Sequence, residues 1–309
     1  MGAAWTPDSP NTVIHADNLA ILPALPDASF TVIYLDPPFN TGRSQARQST
    51  THVRSENGAQ HASGSITGFK GQSYERIKGD LLRYDDRFED YWEFLEPRLI
   101  EAWRLLTDDG TLYLHLDYRE AHYAKVLLDA LFGRENFLNE IIWAYDYGAK
   151  SKSRWPTKHD TILVYVKNER GYYFDSTTVD REPYMAPGLV TAEKAARGKL
   201  PTDVWWHTIV SPTGREKTGY PTQKPEGVLR RIVQASSREG DWVLDFFAGS
   251  GTTGAVAGAL GRRFVLIDRN DEAVAVMRTR FGKRASLDVA FIEEHTGSTA
   301  DVESPPTNA

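Results

Sequence analysis

The 309-residue sequence contains no cysteine, which excludes disulfides, thiolate nucleophiles and cysteine-ligated zinc or iron–sulfur centres. It has no apolar run approaching the roughly 18 residues that cross a bilayer, and residues 1–10 lack the basic and apolar regions of a signal peptide. A soluble, cytoplasmic protein with no membrane partner is therefore expected. His115, His122, His159 and His207 are scattered rather than clustered, so no metal site is expected either. With 40% hydrophobic and 25% charged residues the chain is of ordinary globular composition, not disordered throughout. Its length suits two units, or one large α/β domain with insertions.

The net charge of −6 hides a segregated pattern. Residues 1–42 carry four acids and no base, and residues 84–147 carry fifteen acids against six bases. Residues 43–83, 148–170 and 181–231 each carry four more bases than acids. Such alternation suits a basic groove on an acidic body, although surface charges that alternate by chance would give the same counts.

Short β-branched and aromatic runs at residues 12–15, 30–35, 111–116, 161–166, 242–246 and 264–267 predict buried strands. Between them, residues 88–106 show helical spacing through Trp92, Leu95, Leu99, Ala102, Trp103 and Leu106. Pro97 is placed to kink or split that helix, and Asp108, Asp109 and Gly110 to stop it. Alternating helices and continuously apolar strands imply a mainly parallel sheet covered on both faces. Residues 43–80 are polar and read as a functional loop or disorder. Residues 171–220 read as a small appended module, and residues 296–309 as a flexible tail.

Two segments carry chemistry. In residues 31–40, TVIYLDPPFN, a buried strand delivers Asp36 to its carboxyl end. Pro37 and Pro38 then prevent helix and leave rigid carbonyl acceptors beside Phe39. An acid, fixed carbonyls and an aromatic ring suit a planar group bearing an amino donor; a strand end with a simple turn is the plainer reading. In residues 241–254, DWVLDFFAGSGTTG, a strand runs into a glycine turn and a helix, and a second strand ends at Asp268. This is a nucleotide-binding βαβ unit, with glycines for close backbone approach and an acid for ribose hydroxyls. Gly249, Gly251 and Gly254 also satisfy the G-x-G-x-x-G pattern, which keeps a nicotinamide-dependent oxidoreductase open as a rival, whereas no lysine follows them as a P-loop requires.

Taken together the segments resemble the amino DNA methyltransferases that use S-adenosylmethionine. More narrowly they resemble the permuted β group, in which the Asp-Pro-Pro motif precedes the glycine motif. The strings DPPFNTG (36–42), WPTKHDTILVY (155–165) and GYPTQKP (219–225) are similar to the modification subunits of type III restriction systems. The resemblance implies a doubly wound, seven-stranded Rossmann-like methyltransferase sheet, circularly permuted, with a small target-recognition insertion. Residues 1–170 would be its catalytic half, 171–220 the target-recognition module and 221–295 the cofactor half.

The resemblance also implies roles. Asp36 and the carbonyl of Pro37 or Pro38 would accept the hydrogens of the target amino group, with Phe39 stacked on the extruded base. Phe247, Ala248, Gly249, Ser250 and Gly251 would wrap the methionine and ribose of S-adenosylmethionine, and Asp268 would hold the ribose. Asp17, beside Asn18, would reach the adenine; Thr222 and Lys224 would lie by the methionine end. Asp36, Asp245 and Thr252 would border the same ligand. Arg43, Lys150, Lys152, Arg154 and Lys158 are candidates for phosphate contact. Double-stranded DNA is the implied partner, with a homodimer and a restriction subunit as further ones. The expected activity is N6-adenine methylation, because Asp36 stands where N4-cytosine enzymes of the group usually carry serine. N4-cytosine transfer is the alternative, and a DNA-binding relic a third reading.

Overall fold

The computed structural model describes residues 5–38, 87–148, 150–284 and 287–293. Its strands are β1 (Asn11–His15), β2 (Phe30–Leu35), β3 (Leu106–Leu116), β4 (Phe137–Ala144), β5 (His159–Val166), β6 (Val204–Trp206), β7 (Trp242–Asp245), β8 (Arg263–Asp268) and β9 (Val289–Glu293). Its helices are α1 (Asn18–Ile21), α2 (Arg87–Leu105), α3 (Ala121–Phe132), α4 (Ala192–Arg197), α5 (Glu226–Ser236), α6 (Thr252–Ala259) and α7 (Asp271–Gly282).

Among the described residues, nine strands join one sheet in the order β6-β4-β5-β3-β2-β7-β8-β1-β9, and of these β5 alone runs antiparallel to its neighbours. The sheet is thus mainly parallel, but wider than the seven strands expected. The seven are its middle, from β4 to β1. Short strands β6 and β9 extend the two edges, and neither shows enough β-branched alternation to be seen in advance.

Period-two alternation divides each strand between two cores. Ile33, Leu35, Leu112, Leu114, Leu163, Leu244 and Ile267 face one side, where Trp92, Leu95 and Leu99 of α2 and Leu127 and Leu128 of α3 cover them. Val32, Tyr34, Tyr113, Val164, Val243 and Leu266 face the other, under α5, α6 and α7. Both faces being dry, β2 is buried along its whole length, which is why it reads as a continuous apolar run. Each such fully buried large side chain contributes about 1.5–3 kcal/mol.

Two sequence expectations need correction. Helix α2 continues through Pro97 and is not split there. Asp108, Asp109 and Gly110 do not form a stop outside the sheet: α2 ends at Leu105, and β3 begins at once. Leu106 pairs with Phe30, and the register then jumps to Thr111 opposite Val32, so residues 107–110 bulge out. The bulge is satisfied by its surroundings. Asp109 accepts from Thr107 at 2.9 Å and from Arg238 at 2.9 Å, and its carbonyl accepts from the Tyr173 N–H at 2.9 Å. Within residues 171–220, β6 is hydrogen-bonded to β4, and α4 is a short helix capped by Thr191. The loop 43–80 and the tail 296–309 lie outside the described residues. Among the described residues no helix is long and apolar enough to cross a membrane.

Candidate active site

β2 and β7 are neighbours at the centre of the sheet. From β7 the chain winds toward β8 on one side, while β2 pairs with β3 on the other. The carboxyl ends of β2 and β7 therefore flank a topological switch point, where open α/β sheets leave a crevice for ligands. A cleft of about 500 Å³ lies there.

Both chemical segments line it. Asp36, Pro37 and Pro38 come from the end of β2, and Phe247, Ala248, Gly249 and Ser250 from the turn after β7. Asp17, Asn18, Thr222, Lys224, Asp245, Thr252 and Asp268 border the same space. Gly251 stands behind the turn rather than in the wall. Its left-handed φ of +70° begins α6, and a Cβ there would meet Met277 Cγ at 2.7 Å. Gly254 lets α6 lie against β8, since a Cβ would sit 2.7 Å from Leu266 Cδ1.

The acids occupy different environments. Asp36 is mostly buried, and its carboxylate is ion-paired with the Lys224 ammonium. Asp245 is wholly enclosed; it accepts from Thr253 Oγ1 at 2.6 Å and from the Phe247 N–H at 3.0 Å. Burial nevertheless pushes its carboxyl up to about 7. Asp245 therefore fixes the turn. Asp268 accepts from the Gly249 N–H at 2.8 Å and the Asn270 N–H at 2.9 Å, and burial raises it too. Asp17 caps α1 through the Leu19 N–H at 2.9 Å and pairs with Arg98 at 3.2 Å. Asn18 is spent on structure: its amide donates to the Phe246 carbonyl at 2.7 Å and accepts from Arg98 Nε at 2.6 Å.

Several of these partners are not evident from motif spacing. Arg98 shares α2 with Leu95 and Leu99, both fully buried, yet only 5% of it is exposed. An arginine within that apolar stripe was the available signal. Arg280 of α7 ties the glycine turn down by donating to the Ser250 carbonyl and Thr252 Oγ1, each at 3.1 Å, and pairs with Glu226 at 2.7 Å. Beneath Asp36 runs a buried polar chain. Tyr34 Oη lies 2.7 Å from His115 Nδ1, His115 Nε2 lies 3.2 Å from Asp160 Oδ2, and Tyr145 Oη donates to Asp160 at 3.0 Å. Burial acts most strongly on Asp160 and raises it, but the hydrogen bond and charge of His115, the Lys224 charge and the Tyr145 hydrogen bond together outweigh burial and hold the carboxyl below its ordinary value.

Lys150, Lys152, Arg154 and Lys158 are not in the cleft; they lie on the loop from β4 to β5. The first three are exposed, and Lys158 is 3.7 Å from Asp146. Phe39 and Arg43 lie outside the described residues. Among the described residues no three histidines or acids are grouped to hold a metal.

A family model described as DNA methylase matches residues 30–278. The DNA adenine methyltransferase YhdJ of Escherichia coli (strain K12) is 32% identical over 271 residues, covering 85% of this chain and 80% of that protein. Among solved structures, the M1.HpyAVI–SAM complex superposes with a TM-score of 0.54 at 20% identity, covering 87% of this chain and 98% of that one. The cytosine-N4-specific PvuII DNA methyltransferase gives 0.59 at 18% identity, over 88% of this chain and 87% of that one. At these identities the two structures speak for the fold.

Proposed function

The chain belongs to the DNA methylase family, and on that premise we propose that it moves a methyl group from S-adenosylmethionine to the exocyclic N6 amino group of an adenine flipped out of double-stranded DNA. The observation that carries this reading is the meeting of Asp36, Pro37 and Pro38 with the glycine turn in one cleft. The choice of adenine rests on Asp36 in the first motif position and on the adenine methyltransferase named among the relatives. The order of the two segments is that of the permuted β group, within which the chain resembles type III modification subunits.

The cleft fits S-adenosylmethionine in size, about 500 Å³ against the roughly 300–1,000 Å³ of ordinary ligand pockets. Its donors and acceptors fit as well. The turn presents backbone at Gly249, and Asp268 keeps a lone pair on each oxygen beyond those used by Gly249 and Asn270. In this reading Phe247, Ala248, Gly249 and Ser250 hold the methionine and ribose portions, with Gly251 shaping the turn from behind, Asp268 accepts from the ribose hydroxyls, and Asp17 reaches the adenine ring. Thr222 and Lys224 close the methionine end. When bound, S-adenosylmethionine supplies a methyl group on a positively charged sulfur.

The residues around Asp36 address the other reactant. An exocyclic amino nitrogen is a poor nucleophile because its lone pair is delocalised into the ring. Asp36 and the Pro37 or Pro38 carbonyl accept its two hydrogens and favour a pyramidal nitrogen with its lone pair turned toward the cofactor side of the cleft. Alignment and fixed acceptors supply the acceleration. Lys224, ion-paired with Asp36, keeps its carboxylate oriented for this task. Extruding the base costs a few kcal/mol, offset by stacking on Phe39 and by these acceptors. Arg43 and the four bases of the β4–β5 loop contact phosphates, and residues 171–220 contribute to reading the sequence. Homodimers and a restriction subunit remain partners implied by the resemblance.

Long-read sequencing of genomic DNA from a methylation-free host expressing the chain tests this reading. It predicts N6-methyladenine confined to one sequence context. Unmodified DNA, or methylated cytosine, would overturn it.

A further inference from the structure

Tryptophans in this chain are largely core residues: Trp5, Trp92, Trp143, Trp205 and Trp242 are each no more than 8% exposed. Trp155 is 93% exposed, in the loop joining β4 to β5. We propose that Trp155 is the wedge that enters the base stack of a DNA duplex when the target base leaves it, with Lys150, Lys152 and Arg154 holding the flanking phosphates. The proposal rests on the DNA methyltransferase reading and deepens it.

Position is the first argument. β5 runs antiparallel, so the loop leaves the sheet at the edge where β2 delivers Asp36. Leu35, the last residue of β2, is level with Leu114, which pairs with Leu163, which pairs with Glu140 of β4. β4 continues four residues further, to Ala144, so the hairpin stands about 13 Å above the end of β2 at ~3.3 Å per residue. β2 and β4 are three places apart in the sheet, or roughly 14 Å. The loop is thus a wall beside the mouth of the cleft.

Charge and shape agree with that position. Residues 145–158 of this loop hold four bases, Lys150, Lys152, Arg154 and Lys158, against one acid, Asp146, in a chain of net charge −6, so this wall is basic where the body is acidic. Lys150, Lys152 and Arg154 are exposed on the approach to Trp155. Ser151 Oγ accepts from the N–H groups of Ser153 at 3.3 Å and Arg154 at 3.2 Å, which turns the chain just before the indole. Pro156 then restricts Trp155 to extended backbone. Two further exposed aromatics share the rim: Tyr147, and Trp206, paired in register with Ala144.

A flipped base leaves a gap whose neighbours have each lost a stacking face, and an inserted side chain recovers that contact. An aromatic ring serves any sequence, because every base has a π-face.

The test uses the full-length chain and two duplexes carrying the site found by methylome sequencing. In one, the target adenine is paired; in the other it faces an abasic position and is already loose. Trp155→Ala is expected to lose roughly tenfold or more in turnover on the paired duplex and to stay within about twofold of the parent on the abasic one. Trp155→Phe is expected to restore most of the loss. Equal loss on both duplexes, or no loss on the paired one, would overturn the wedge while leaving the methyltransferase reading intact. A parent protein that methylates neither duplex would remove that reading, and the wedge with it.

Discussion

Lys224 and Asp36, 188 residues apart in the chain, form an ion pair on the wall of the cleft, with side chains only 14% and 16% exposed. The pair ties the segment before α5 to the end of β2. Removing one partner of such a pair leaves an uncompensated charge, at about 3–5 kcal/mol when burial is complete and less here. Lys224→Met is therefore expected to lower stability by roughly 1–3 kcal/mol in chemical denaturation and to lower methyl transfer by tenfold or more. Lys224→Arg should recover most of the stability. A Lys224→Met protein indistinguishable from the parent in both measurements would show the pair to be incidental.

Asp245 sets a pH dependence. Its carboxyl titrates near 7 in the folded chain because it is buried, whereas an unfolded aspartate titrates near ~3.9. Between those values the folded state keeps a proton that the unfolded state has released. Stability from this group is therefore greatest below about pH 4, falls as pH rises to about 7 and is level above. Asp245→Asn keeps an acceptor for the Phe247 N–H and removes the titration. Against the parent it should gain on the order of a few kcal/mol between pH 5 and pH 8 in denaturant midpoints. Parallel curves would refute the assignment.

Gly251 is required by backbone and by space, given its φ of +70° and the 2.7 Å approach a Cβ would make to Met277. Gly251→Ala is expected to cost about 1–2 kcal/mol from the left-handed conformation alone, with more from the clash. Because the turn is the proposed cofactor cradle, S-adenosylmethionine affinity by calorimetry should fall together with the melting temperature. Unchanged affinity would separate the turn from the cofactor.

Arg280 bonds the Ser250 carbonyl, Thr252 and Glu226 from a side chain that is 6% exposed. Arg280→Ala leaves these acceptors buried without their donor, an expected loss of about 3–5 kcal/mol by denaturation. Arg284 also reaches Glu226, at 3.3 Å, so Arg284→Ala should cost much less. Equal effects of the two substitutions would contradict this division.

What the sequence made legible followed from burial. β2 and β7 are continuous apolar runs because helices cover both faces, and each ends at an acid because the sheet's carboxyl edge meets the cleft. The glycine turn was readable because its backbone geometry admits few other residues. β4 was missed because its first half, FLNE, is only partly buried or exposed and shows no apolar alternation. The Asp108–Gly110 stop was misread because tertiary contacts from Tyr173 and Arg238 absorb a turn signal into a bulged strand. Lys224 was placed by resemblance at the methionine end, but its contact with Asp36 depends on how α5 docks, which no local pattern encodes. The same holds for Tyr34, His115 and Asp160, brought together by strand order alone.

The central claim, amino-group methylation at Asp36, is tested most directly by digesting DNA to nucleosides after incubation with S-adenosylmethionine and the purified chain, parent beside Asp36→Ala. The account predicts N6-methyl-2′-deoxyadenosine from the parent. It predicts a loss of at least roughly tenfold in Asp36→Ala, the equivalent of one charge-assisted hydrogen bond. Undiminished transfer by Asp36→Ala, or methylcytosine as the parent's product, would contradict it.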